Sequence, residues 1–141
     1  MSAGRPRHRL LGCPHPLSLQ PCGKALLAYF PKEQREWLYQ SVGLEKKTPY
    51  SIFDTRRLEK ELAEVRKNGF AVDQQENEIG AFCVGMPIFG PFEQVVASIS
   101  VNGVIQRMAP QFVSEVVTLL RHHTGRISEQ LGQPRANLKS T

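Results

Sequence analysis

Long hydrophobic runs are missing from this chain of 141 residues: no uninterrupted apolar stretch approaches the roughly 20 residues that a membrane helix requires. A secretory signal is missing too, because Arg5, Arg7 and Arg9 are followed only by Leu10 and Leu11 before Gly12, Cys13 and Pro14. Cysteine is scarce and odd in number. Cys13, Cys22 and Cys83 form no CxxC pair, and the histidines form no HxxxH pair, which excludes a recognisable zinc site or disulfide framework. Free thiols fit a reducing, cytoplasmic compartment. Neither GxxxxGK[ST] nor GxGxxG occurs, so the usual phosphate-cradling loops are absent. Excess charge is also lacking in most of the chain. The net charge is +5, but four of the 18 Lys and Arg residues (Arg5, Arg7, Arg9 and Lys24) precede residue 25, leaving 14 to face all 13 acids. The basic balance therefore gives no sign of a nucleic-acid surface on the folded part.

What is present is one domain's worth of ordinary globular sequence, 40% apolar and 22% charged. Residues 68–103 organise it as three strands around two turns. Asn68-Gly69 suits a helix end with positive φ, and Phe70 to Asp73 is a short strand. Residues 81–89, rich in Val, Ile and Phe, run to Gly90-Pro91. Residues 95–101 alternate and stop at Asn102-Gly103, which completes a hairpin. Strand alternation places Ala81, Cys83 and Gly85 on one face and Phe82, Val84 and Met86 on the other. On the third strand Ser98, Ser100 and Asn102 share a face. If the Cys83 and Ser100 faces coincide, they form a shallow polar concavity fit for a small anion or polyfunctional molecule. The competing reading is a solvated outer face.

Residues 1–21 carry Pro6, Pro14, Pro16 and Pro21 without periodicity and read as an irregular arm, with a possible edge strand at His15 to Leu19. From Cys22, CGKALLAYF has helical spacing, and a helix start at Pro21, Cys22 and Gly23 is a second candidate site element, since unpaired N–H groups attract anions. Alternatively Gly23 only permits close packing and Lys24 is a surface charge. A helix over 32–40 buries Trp37 and Leu38. Asp54 caps a helix whose Leu58, Leu62 and Val65 form the inward stripe, and whose other face (Arg56, Arg57, Glu59, Lys60, Glu61, Lys67) is mixed in sign and solvated. Pro110 opens a last helix to about Leu131, whose apolar stripe packs on the sheet or in a subunit interface.

Catalytic constellations are wanting. Cys83 could pair formally with a histidine, but His8 and His15 lie in the arm, and adjacent His122 and His123 point in different directions. Asp73, Glu76 and Glu78 read as an exposed acidic turn or as one ligand-directed carboxylate. No catalytic residue, metal ligand or cofactor is expected.

The blocks GKALLAYF, LEKELAEVRKNGFAVDQQENEIGAFCVGMPIF, VVASISVNG and ISEQLG, in this order and spacing, resemble the effector-binding domain of IclR-type transcription regulators over about residues 15–132. The resemblance implies an α+β class, GAF-like antiparallel sheet flanked by helices, here incomplete at the N-terminal side. It implies a small organic acid as effector, a homo-oligomer (dimer or tetramer), and DNA contact only through a winged helix-turn-helix. It carries ligand-binding roles onto Pro21 and Cys22 at the helix start, Asp73 after the first strand, and Ala81, Cys83, Ser100 and Asn102 on the hairpin. Members often have small Gly or Ala residues where Pro21 and Cys22 stand, and Ser where Asn102 stands. Pro21 has no N–H to donate, so a changed ligand or weakened binding is expected.

The chain departs from the family before His15, where neither a helix-turn-helix nor the opening part of the effector domain is found. The expected organisation is a basic arm at 1–14, the effector-binding domain at 15–132 and a tail at 133–141. A mis-started or truncated frame, an internal start and an inactive fragment would each account for it, the first being preferred. The function expected is ligand sensing for a transcription regulator. The alternatives are a non-sensing oligomerisation fragment and a small Cys83-dependent enzyme.

Overall fold

The computed structural model describes residues 21–44 and 46–133. The arm, the edge strand expected at residues 15–19 and the tail lie outside them. Four helices and three strands follow in the order α1 (Pro21–Leu27), α2 (Lys32–Val42), α3 (Thr55–Asn68), β1 (Ala71–Gln74), β2 (Ala81–Phe89), β3 (Val95–Val104) and α4 (Pro110–Gln130), with a short 3-10 turn at Ile105–Arg107. Asp54 caps α3 as its position suggests, its side chain accepting from the Arg56 N–H at 3.0 Å. Gly69 ends the helix at φ +85°, a conformation costly to any residue with a Cβ.

The strands form an antiparallel sheet in the order β1-β2-β3. The sequence places the hairpin correctly but stops β3 too early. Asn102 and Gly103 continue the ladder opposite Cys83 and Phe82, because the facing half of β2 is long enough to pair them. The Ile105 N–H then closes onto the Gly80 carbonyl at 2.8 Å.

Two apolar clusters sit on opposite faces of the sheet. Phe82, Val84 and Met86 pack against Val116, Val117 and Leu120 of α4, with Phe82 and Phe112 edge to face at 6.0 Å. On the other face Ala71 joins Ala25, Leu27 and Ala28 of α1 and Leu58, Leu62 and Val65 of α3. Each fully buried Leu there contributes about 1.5–3 kcal/mol. The α4 stripe therefore covers the sheet, though Phe112 and Leu131 at its ends are exposed.

Trp37 departs from expectation. It is 45% exposed, because polar contacts bind α2 to α3: Arg35 holds Glu59 through Nε–Oε1 at 3.0 Å and Nη2–Oε2 at 3.1 Å, while the Tyr39 hydroxyl donates to Oε1 at 2.8 Å. The Arg35 hydrogen bonds hold the Glu59 carboxyl below its ordinary value against burial. Glu59 thus leaves the mixed-sign solvated face assigned to it.

Gly103 of β3 lies directly opposite the buried Phe82. A Cβ there would stand 2.6 Å from Cε1 of the buried Phe82 ring, whereas one at Gly125 in α4 would meet nothing within 4 Å. Thermal denaturation should show Gly103→Ala losing about 1–3 kcal/mol through overpacking. Gly125→Ala should gain up to about 1 kcal/mol from helix propensity.

Candidate functional site

The register brings the small polar residues together. Asp73 faces Cys83, and Cys83 faces Asn102, so the three form one row across the sheet; Ala71, Gly85 and Ser100 form the next. Directly opposed side chains in such rows have Cβ atoms about 4.5–5.5 Å apart. The Cys83 and Ser100 faces are therefore one face. It is not a solvated surface, because α1 crosses it, touching all three strands. Small residues beneath α1 allow this approach. Asp73, Cys83 and Gly85 are buried, Ala81 and Ser100 are half-buried, and Asn102 is exposed at the margin. The backbone of Pro21 and Cys22 lies in the first turn of α1, followed by buried Gly23, so the helix start and the hairpin share this side of the sheet.

Lys24 overturns its reading as a surface charge. It is fully buried, and its ammonium lies 2.8 Å from Glu61 Oε1, 2.8 Å from the Val72 carbonyl, and 2.9 and 2.7 Å from the Glu76 oxygens. One side chain of α1 thereby holds α3, β1 and the β1–β2 turn. Glu61 is half-buried, its carboxylate turned to Lys24 at the edge of the core. Its spacing from Leu58 and Val65, three before and four after, places it on the buried stripe, a signal that was available in the sequence. Lys24, set among Gly23, Ala25, Leu27 and Ala28, carried the same signal.

The turn is pinned from a second side. The Thr48 hydroxyl donates to the Gln75 carbonyl at 2.6 Å and the Ser51 hydroxyl to the Glu76 carbonyl at 2.5 Å. The Asp73 carboxylate accepts the Glu76 N–H at 2.7 Å. Asp73 and Glu76 are thus buried, not members of an exposed acidic turn; Glu78 alone of that group is exposed. Spacing did not reveal Thr48 or Ser51, which lie far from the turn in sequence.

Burial pushes the Glu76 carboxyl up to about 7, against the pull of Lys24. Asp73 is also raised by burial, opposed by its backbone hydrogen bonds and by Lys24. Chemically the two rows offer a thiol, an amide and a hydroxyl, and the buried ammonium of Lys24 beneath α1 is already engaged. Among the described residues no histidine is on the Cys83 side: His122 and His123 are on α4, which covers the opposite face. Among the described residues no group of three or more His, Cys, Asp and Glu residues is placed to hold a metal ion. No helix there is long and apolar enough to cross a membrane.

The sheet backed by one long helix is a fold shared with solved bacterial transcriptional regulators. The family described as bacterial transcriptional regulator IclR, C-terminal, matches residues 8–129, and the chain belongs to it. It is 36% identical to the HTH-type transcriptional repressor AllR of Klebsiella pneumoniae over 129 residues, covering 90% of this chain and 47% of that protein. The crystal structure of Thermotoga maritima IclR superimposes with a TM-score of 0.79 at 38% identity, over 82% of this chain and 47% of that one. The PobR inducer-binding domain from Acinetobacter, a double mutant in complex with 3-hydroxybenzoic acid, shares the fold with a TM-score of 0.76 at 24% identity, over 81% of this chain and 66% of that one. The chain spans about half the length of the curated relatives it matches. Those relatives are transcriptional regulators, not enzymes.

Two outcomes follow from the buried cluster. Lys24→Met should destabilise the fold by about 3–5 kcal/mol, since it strands two carboxylates, and Glu76→Gln in the same chain should restore part of the loss. The raised Glu76 and Asp73 groups bind protons in the native state that the unfolded chain has already released. Stability should therefore fall as pH rises from about 4.5 to 7. Urea unfolding across this window should show the decline, and Glu76→Gln should leave only the part that comes from Asp73.

Proposed function

We propose that this chain is the ligand-sensing part of an IclR-family transcription regulator, with the effector held between the start of α1 and the Cys83–Ser100 face. Pro21, Cys22 and Gly23 supply one wall, while Ala81, Cys83, Ser100 and Asn102 supply the other, with Asp73 at the closed end. The observation that carries the reading is the shared row of Asp73, Cys83 and Asn102 beneath α1. A packing platform alone has no use for a hydroxyl and an amide leading from a buried thiol to an open margin.

A small organic acid fits best. Hydroxyl, amide and backbone N–H donors can bind a carboxylate, and the PobR domain, which shares the fold, has been crystallised with 3-hydroxybenzoic acid. Lys24 is not the counter-charge, as its three N–H bonds are satisfied within the fold. Asp73 acts chiefly on the shape of the wall, through its bond to the Glu76 N–H. In the full-length regulator, occupancy would bias a homodimer or homotetramer and so its helix-turn-helix domains. The core of this module is residues 15–132, flanked by the arm at 1–14 and the tail at 133–141.

Thermal-shift titration with a panel of small aliphatic and aromatic carboxylates, 3-hydroxybenzoate included, provides the test. A matching acid should stabilise the chain by about 2.7 kcal/mol when present at a hundredfold its Kd. Ser100→Phe, which crowds the half-buried part of this face beneath α1, should abolish that shift and cost the free protein about 1–3 kcal/mol through overpacking. A folded sample that responds to no carboxylate in the panel, or a Ser100→Phe variant that responds as before, would count against the site.

A further inference from the structure

The α3 helix sorts its charges by depth. Glu59 turns toward Arg35 and Tyr39, and Glu61 toward Lys24, so both acids of its middle turn are taken up by other elements. Arg56, Arg57 and Lys60 are left outward and exposed, with no acidic partner within ion-pair distance among the described residues. Arg56 and Lys60 flank a shallow open depression completed by Thr55, Glu59 and Ala63. Just before the helix, Phe53 is 56% exposed, with the Lys46 ammonium 5.3 Å above its ring. Two acids border this face, Asp54, whose carboxylate accepts the Arg56 N–H, and Glu64, a turn beyond Lys60; their two negative charges stand against the four positive ones of Lys46, Arg56, Arg57 and Lys60, so the face stays net basic.

We propose that this face, Lys46 with Phe53 and then Arg56, Arg57 and Lys60, binds the sugar-phosphate backbone of duplex DNA without regard to sequence. It goes beyond ligand sensing and rests only on the reading that the full-length protein is a DNA-bound regulator. Backbone contact needs no recognition helix. Exposed guanidinium groups supply forked N–H donors suited to phosphate oxygens, and the exposed ring adds contact area without adding charge. A weak contact of this kind gains from tethering, because a regulator already on its operator presents the face at high effective concentration.

Fluorescence anisotropy of the whole chain with a labelled duplex of arbitrary sequence tests the proposal. Binding should weaken steeply with KCl, with a slope of about −2.7 in log K against log salt for three phosphate contacts. The Arg56→Gln, Arg57→Gln, Lys60→Gln triple variant should bind at least about tenfold more weakly and lose most of that slope, with its circular dichroism unchanged. Its thermal response to carboxylates should be that of the parent chain, which separates this face from the ligand site. Three results would overturn the proposal: no binding at low salt, binding indifferent to the triple variant but lost with Arg5→Gln, Arg7→Gln, Arg9→Gln, or tighter binding of an acidic peptide than of the duplex at the same salt.

Discussion

A single buried ammonium ion holds the layers of this domain in register. Lys24 has no access to water, so its charge is tolerable only because three separate elements supply oxygens to it. That requirement is geometric as well as energetic. Helix α1 must sit at one height over the sheet, β1 must present the Val72 carbonyl at its edge, and the β1–β2 turn must fold back far enough to offer Glu76. The hydroxyls of Thr48 and Ser51 hold the same turn from outside, so two independent sets of bonds specify one loop.

The candidate wall inherits its shape from this arrangement. Asp73 follows Val72, and Cys83 and Asn102 are placed opposite it by the ladder, so the height of α1 over the row is fixed by a residue that is not itself part of the row. Alanine and glycine in the neighbouring row of Ala71, Gly85 and Ser100 then let α1 approach. Packing and recognition are thus served by the same small side chains. That economy explains why the face is weakly polar instead of greasy.

Much of the fold was legible in the sequence, for reasons that can be stated locally. The β2–β3 hairpin turns at Gly90-Pro91 between an apolar run rich in Val, Ile and Phe and an alternating one, the α3 helix is bracketed by Asp54 and Gly69, and both kinds of signal depend only on near neighbours. The common face of Cys83 and Ser100 needed one further fact, the register, which alternation alone leaves open. What escaped reading was long-range and polar. Lys24 with Glu76, Arg35 with Glu59, and Thr48 with Gln75 are pairs whose members are far apart in the chain, and although the apolar neighbours of Lys24 hinted at its burial, no local pattern names the partner of any of them. Trp37 failed in the opposite direction: a large ring was assumed to seek the core, whereas one ion pair and a tyrosine hydroxyl dock that helix.

The brevity of α1 carries a final consequence. Seven residues from Pro21 to Leu27 make fewer than two turns, well short of what an isolated peptide needs to stay coiled in water. Its backbone order is borrowed from outside: from Lys24 in its middle and from the Arg66 guanidinium, which caps its far end by donating to the Ala28 carbonyl at 2.8 Å. Both of these bonds run to α3, through Glu61 and Arg66, so the coil of α1 and its docking on that longer helix rest on the same two contacts.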